Sequence, residues 1–171
     1  MNMQKTQQGV GLIEVLVSLL ILAVAILGFV ALQVRATEAT SEGIFRVQAI
    51  NLARDISEKI RTNRSALANY ETELSRGVAR QIALNNSAAN CYSDYCSAAE
   101  KADFDVSRVA LSAQALGMTM NMIDCDNVEN GRQCIYVAWG DTSATNGDGE
   151  DDCTTNGAYR SNSTCIVMET Y

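Results

Sequence analysis

Glu14 is a carboxylate inside an otherwise apolar stretch, which begins abruptly at Val10 after a mostly polar segment of nine residues. A charge within an apolar helix is costly unless a partner neutralises it. The polar segment holds Lys5 and ends at Gly9, the only small residue at the polar-to-apolar boundary. Cleavage after Gly9 would remove Lys5 and leave Glu14 without a nearby cation in its own chain. The residues alone leave two interpretations for Glu14: it is neutralised by another molecule, or it reaches out to the membrane surface.

Catalytic arrangements are absent from the residue pattern. The sequence contains no histidine, which excludes Ser-His-Asp and Cys-His pairs. Cys91 and Cys96 are separated by four residues, whereas thiol oxidoreductases use a Cys-x-x-Cys motif. The sequence also lacks a glycine-rich phosphate loop. We therefore expect neither enzymatic activity nor a cofactor.

All six cysteines follow the apolar stretch. An even number confined to one part of the chain is typical of disulfides formed in an oxidising compartment. Zinc sites favour closely spaced cysteine pairs or histidines, and the sequence has neither. Six cysteines allow fifteen pairings, and we favour the sequential one because it closes short loops and turns. Its pairs are Cys91 with Cys96, Cys125 with Cys134, and Cys153 with Cys165.

The segment 141–152, DTSATNGDGEDD, is rich in carboxylates and glycine. Oxygen-rich loops of this kind can bind calcium, and Asp141, Asp148 and Asp152 are the candidate ligands. The segment lacks the ligand spacing and the terminal glutamate of an EF-hand. We therefore expect a solvated turn without a metal, with calcium binding as the weaker alternative.

The apolar stretch is long enough to cross a membrane. Residues 15–34 contain no charge, and twenty helical residues at a rise of about 1.5 Å span the roughly 30 Å of a bilayer core. A secretory signal peptide has a shorter apolar region of about 7–15 residues and is cleaved after it. Here the small-residue junction precedes the apolar run, so the hydrophobic helix would stay on the mature protein.

The helix is predicted to continue beyond the membrane. No proline interrupts residues 35–62, and apolar residues recur every three or four positions while charges largely occupy the other faces. This spacing indicates an amphipathic helix, one face of which packs on a domain. The apolar positions are Phe45, Ala49, Leu52, Ile56 and Ile60.

The remaining chain is predicted to be an α+β domain, with a connecting region over residues 65–90 that has some helix. Ser97 and Glu100 fit a capping box at the start of a helix that Gly117 ends. Three segments then have the pattern of strands, and we expect an antiparallel sheet packed on the amphipathic helix. The strand segments are 118–122, 135–139 and 165–171.

The segment QGVGLIEVLV at residues 8–17 resembles the class III signal of type IV prepilins and the related pseudopilins. In that family a prepilin peptidase cuts after the glycine and methylates the new N-terminus. The resemblance therefore implies cleavage between Gly9 and Val10, and for Glu14 a contact with the N-terminal amine of a neighbouring subunit. Val10 and Gly11 differ from the phenylalanine and the serine or threonine that are usual there.

Residues 51–64, NLARDISEKIRTNR, followed by Tyr70, are similar to the end of the long helix in the PilV group of minor pilins. The apolar helix and the segment QCIYVAWGD also resemble that group. The resemblance implies a pilin fold, in which the long helix packs on a small antiparallel sheet. The implied regions are a leader (1–9), a transmembrane half of the helix (10–34), an amphipathic half (35–62) and a periplasmic or extracellular globular domain (63–171).

The function implied by the resemblance is that of a minor pilin, which primes a type IV pilus or is incorporated into it. The implied partners are major and minor pilins, the prepilin peptidase, the inner-membrane assembly platform and a tip adhesin. A minor pseudopilin of a type II secretion system and a tip module for adhesion are the alternatives. Nucleic acid is not an expected partner, because residues 91–171 carry four basic and thirteen acidic side chains.

Overall fold

The computed structural model describes residues 11–83, 90–126, 128 and 131–170. By internal packing the chain divides into two units, one up to Gly43 and the other from Ile44 onward. One helix, α1 (Leu12–Thr62), contributes residues to both units. All of its residues up to position 41 are exposed, whereas five residues of its later part are buried in the second unit.

In the first unit, α1 is apolar on nearly all sides. The helix starts where the amides of Glu14 and Val15 donate to the carbonyl oxygen of Gly11, at 2.9 and 3.4 Å. The hydroxyl of Ser18 donates to the backbone carbonyl of Glu14 at 2.5 Å, so this polar side chain is satisfied within the helix. Satisfying polar groups internally is what a segment surrounded by lipid requires.

In the second unit, α1 buries one face, as its apolar spacing predicts. Phe45 is half-buried and stacks on Trp139, with the ring centroids 6.4 Å apart. Residues three and four apart share a helix face because the helix has 3.6 residues per turn. The fully buried residues of this face are Ala49, Leu52, Ala53, Ile56 and Ile60.

Short helical segments follow α1, in the region where the sequence predicts some helix. Gln81 is 2% exposed, and its amide nitrogen lies 2.6 Å from the carbonyl oxygen of Leu74 and 2.9 Å from that of Met120. This side chain therefore joins the helical segments to the first strand of the sheet. The segments are a 3₁₀ turn (Arg64–Ala66), α2 (Leu67–Leu74) and α3 (Val78–Ile82).

The predicted capping box is present at the start of α4 (Ala98–Ala115). The Ser97 amide donates to the Glu100 carboxylate at 2.8 Å, and the Glu100 amide donates to the Ser97 hydroxyl at 3.4 Å. The hydrogen bond from the Ser97 backbone, helped by its side chain, lowers the pKa of Glu100. The helix ends before Gly117, whose φ of 69° is a left-handed conformation that glycine adopts without strain.

The described part of the chain holds six strands: β1 (Met118–Asp124), β2 (Gln133–Trp139), β3 (Ser143–Asn146), β4 (Asp152–Thr155), β5 (Ala158–Tyr159) and β6 (Cys165–Glu169). The sheet predicted from the sequence is antiparallel with the order β1, β2, β6. One of its faces packs in the same core as the buried face of α1. The methionines of β1, whose flexible side chains suit irregular gaps, fill that core together with β2 residues. The core residues of the sheet are Met118, Met120, Met122, Ile135, Val137 and Trp139.

The expectation that residues 141–152 form a solvated turn is wrong for residues 143–146 and for Asp152, which lie in strands. Strands β3 and β4 pair in parallel, and β4 pairs with β5 in a second small sheet. This sheet covers the other face of β2: the hydroxyl of Tyr136 lies 3.1 Å from that of the buried Thr154. The Thr154 hydroxyl also donates to the Asn146 side chain at 2.8 Å. Such short polar strands have no hydrophobic alternation, so the sequence pattern does not reveal them.

Candidate functional site

The apolar part of α1 presents a continuous hydrophobic surface. Its large side chains from Leu12 to Val34 are between 47% and 79% exposed. Among the described residues, α1 is the one helix long and apolar enough to cross a membrane. A surface of this size is unstable in water, so it requires lipid or other apolar helices around it.

Glu14 lies on this surface, in the first turn of α1. Its neighbours Leu12 and Ile13 are 79% and 71% exposed. The Glu14 carboxylate makes no hydrogen bond or ion pair with any residue in the described part of the chain. It is therefore available to a cationic group from outside these residues. The predicted processing residues, Gly9 and Val10, lie outside the described residues.

The six cysteines form three disulfides in the sequential order. Cys91–Cys96 closes the loop before α4, and Cys125–Cys134 closes the connection between β1 and β2. Cys153–Cys165 joins the second small sheet to β6. The Cα atoms of the three pairs are 5.6, 5.0 and 5.9 Å apart, within the usual range of about 4.4–6.8 Å.

The candidate calcium ligands are not gathered into a metal site. Among the described residues, no group of three or more carboxylate, histidine or cysteine side chains has a suitable arrangement. The two carboxylate oxygens of Asp152 accept hydrogen bonds from the Thr145 hydroxyl and from the Gly149 amide, the latter at 2.7 Å. Asp141 and Asp148 are exposed. The Asp152 side chain thus organises the loop between β3 and β4.

A buried polar cluster, which sequence reasoning missed, joins α1, α2 and α4. It is centred on Asp105, whose side chain is 3% exposed. The Tyr70 hydroxyl donates to this carboxylate at 2.7 Å, and the ammonium groups of Lys59 and Lys101 lie 3.3 and 3.5 Å from it. We call these four residues the Asp105 cluster. A signal was present in the sequence, because an aspartate among the apolar positions of a predicted helix must find partners.

Burial, together with the contact to Asp105, shifts the pKa of Tyr70. Burial of the ring raises the pKa of the Tyr70 hydroxyl, against a lowering by the Asn63 side chain, and the hydrogen bond to Asp105 raises it further. Asn63 also donates to the carbonyl oxygen of Ala98 at 2.8 Å. The end of α1 is therefore held to α4 by polar contacts in addition to apolar packing.

Two family models match this chain. Residues 4–30 match the prokaryotic N-terminal methylation motif, and residues 31–107 match the Tt1218-like model, described as type IV pilin Tt1218. The second match covers α1 from position 31 through α2 and α3 and into α4. No curated protein and no solved structure matches the chain.

A long helix with an exposed apolar segment, followed by a small disulfide-bonded α+β unit, is the arrangement of a pilin fold, and the two matches support a pilin-like structural subunit. With the two matched motifs, the chain is a type IV prepilin-like protein. The methylation motif implies processing by a prepilin peptidase, and the pilin match implies contacts with other pilins. The apolar segment fits anchoring in the inner membrane before assembly.

Proposed function

We propose that this protein is a minor pilin, which primes assembly of a type IV pilus or is incorporated into it. Before assembly, α1 anchors the protein in the inner membrane through a single span, and the unit from Ile44 onward lies in the periplasm. In the filament, the apolar surface of α1 is covered by the equivalent helices of neighbouring pilins. The observation that carries the proposal is Glu14, a carboxylate without a described partner on an exposed apolar helix.

The cost of a charge in an apolar environment explains how Glu14 would direct assembly. Within a filament core, its carboxylate is stable only if a cation lies beside it. Cleavage between Gly9 and Val10 creates such a cation, the new N-terminal amine. A contact between this amine and Glu14 of a neighbouring subunit would neutralise both charges. It would also set the axial position of one subunit against the next.

The processing step is tested by the intact mass of the protein purified from its own cells. We expect the mass of a chain that starts at Val10 and carries one added methyl group. A retained leader, or a cleavage site beyond Val34, would show that the signal is of another type.

The role of Glu14 is tested with the Glu14→Ala variant, expressed at the wild-type level in cells that lack the native gene. We expect normal processing and normal amounts in the membrane fraction, but at least a tenfold loss from sheared filaments. Glu38→Ala is the matched control, because Glu38 is an exposed carboxylate of the same helix that is paired with Arg35 at 3.1 Å. Wild-type amounts of Glu14→Ala in the filaments would exclude an assembly role for Glu14.

The minor role is tested by the ratio of this protein to the other pilins in sheared filaments. We expect a small fraction of the total, together with fewer filaments on cells that lack the gene. Finding this chain as the main filament protein would replace the minor role by a major one. A requirement for protein secretion without any surface filament would favour the type II pseudopilus.

A further inference from the structure

A short loop closed by a disulfide, residues 91–96, presents two tyrosines to solvent just before α4. Tyr95 is 97% exposed and Tyr92 is 75% exposed. Tyrosine has a large apolar ring and usually packs that ring against other side chains. Two exposed rings in one short loop are therefore a surface available for binding. We call residues 91–96 the tyrosine loop.

The tyrosine loop is held in one conformation. Its disulfide keeps the Cα atoms at the two ends 5.6 Å apart. The carbonyl oxygen of Asn90 accepts from the amides of Ser93 and Asp94, both at 2.9 Å. The ring of Tyr92 stands edge-to-face with that of the buried Phe104 on α4, with the centroids 5.1 Å apart. Rings presented by an ordered loop lose little conformational entropy when a ligand binds.

The polar groups beside the rings restrict the class of ligand. Residues 90–97 contain no lysine or arginine, so this segment does not attract phosphates or carboxylates. Asp94 lies between the two tyrosines, and its charge opposes insertion of the loop into a membrane. The Asp94 carboxylate accepts from the Ser93 hydroxyl at 3.3 Å, and a carboxylate has acceptor sites for further hydroxyl groups. An uncharged ligand with apolar faces and many hydroxyls fits these groups, and a sugar has both.

We propose that the tyrosine loop binds a neutral polysaccharide. The C–H faces of the sugar rings stack on Tyr92 and Tyr95, and sugar hydroxyls donate to Asp94. The two tyrosines are three residues apart, so their Cα atoms are separated by at most about 11 Å. Sugars close together in one polysaccharide chain therefore reach both rings. This binding requires one folded copy of the protein, so it is independent of the proposed role in pilus assembly.

The test is electrophoresis of the full chain in native gels that contain dissolved hydroxyethylcellulose, dextran or galactomannan. The protein is held in micelles of a detergent without a sugar head group, because such a group would compete for the site. We expect at least one of the three polysaccharides to retard the wild-type protein. Tyr95→Ala, which leaves the net charge unchanged, should weaken this binding about tenfold, which corresponds to about 1.4 kcal/mol. Tyr95→Phe keeps the ring and should retain most of the binding.

Tyr159→Ala is the matched control, because Tyr159 is also an exposed tyrosine, at 57%, but lies in β5 outside the tyrosine loop. It should leave the retardation unchanged. Migration of the wild-type protein unaffected by all three polysaccharides would overturn the proposal. Equal losses in Tyr95→Ala and Tyr159→Ala would also overturn it, as would a loss in Tyr95→Phe as large as that in Tyr95→Ala. Urea denaturation of Tyr95→Ala should match wild type, which separates lost binding from lost folding.

Discussion

Replacing Asp105 by asparagine tests whether the Asp105 cluster holds the second unit together. The substitution keeps the size of the side chain and removes its charge. Two ammonium groups then face a neutral amide, and Tyr70 loses an ionised hydrogen-bond acceptor. We expect the free energy of unfolding to fall, because the carboxylate is nearly inaccessible to water while its partners remain.

The size of the effect follows from the geometry of the cluster. A hydrogen bond to a charged group contributes about 1.5–3 kcal/mol, and the 2.7 Å contact from Tyr70 is of this kind. Lys59 and Lys101 have side chains that are 28% and 46% exposed, so solvent screening reduces what each ion pair adds to less than about 1 kcal/mol. The amide oxygen of asparagine still accepts from Tyr70, which retains part of the first contribution. We therefore expect a loss of about 2 kcal/mol.

Urea denaturation followed by the fluorescence of Trp139 measures this loss. Trp139 is the only tryptophan and is 4% exposed in the core of the second unit, so its emission reports the unfolding of that unit. The full chain is held in detergent micelles with its disulfides intact. Asp55→Asn is the control, because Asp55 is an exposed carboxylate on α1 and should change the free energy of unfolding by less than about 0.5 kcal/mol. Equal values for the two variants would refute a structural role of the Asp105 cluster.

Three further changes have defined outcomes. Burial raises the pKa of Tyr70 in the folded protein, so the protonated hydroxyl stabilises the fold below pH 10 and this stability is lost as the pH rises above 10. In the same urea assay, Tyr70→Phe should therefore lose less free energy of unfolding at alkaline pH than wild type does. An identical pH profile for the two proteins would contradict the raised pKa. Ser97→Ala removes the capping hydroxyl and should cost about 1 kcal/mol, whereas Ser112→Ala, on the exposed face of α4, should be nearly neutral in urea titrations. Peptide mapping without reduction should find Cys153 linked to Cys165. Replacing both cysteines should lower the free energy of unfolding by about 2–4 kcal/mol. A peptide in which either cysteine is linked to another partner would exclude the sequential pairing.

The helices and the main sheet could be predicted because their signals are local. The spacing of Phe45, Ala49 and Ile60 places them on one face of α1, wherever that helix packs. The capping box at Ser97 and the left-handed Gly117 are also determined by a few neighbouring residues. The apolar spacing and the residues that start or end a helix involve positions within a few turns of one another. The sequence alone was therefore sufficient to predict these helices.

The character of the N-terminal region was also determined by the sequence. The order of polar segment, Gly9, apolar stretch and Glu14 is a linear pattern, and residues 4–30 match the N-terminal methylation motif without reference to the rest of the fold. The same is true of the compartment that the cysteines indicate, because their number and distribution along the chain carry that signal.

Only the tertiary structure brought together groups that are distant in the sequence. Asp105 is 35 residues from Tyr70 and 46 residues from Lys59. The second small sheet was missed for a related reason: its strands are too short and polar to show a pattern. They are stabilised instead by hydrogen bonds between side chains and by the disulfide to β6. Contacts of this kind depend on the register and packing of whole elements, which no local pattern of residues specifies.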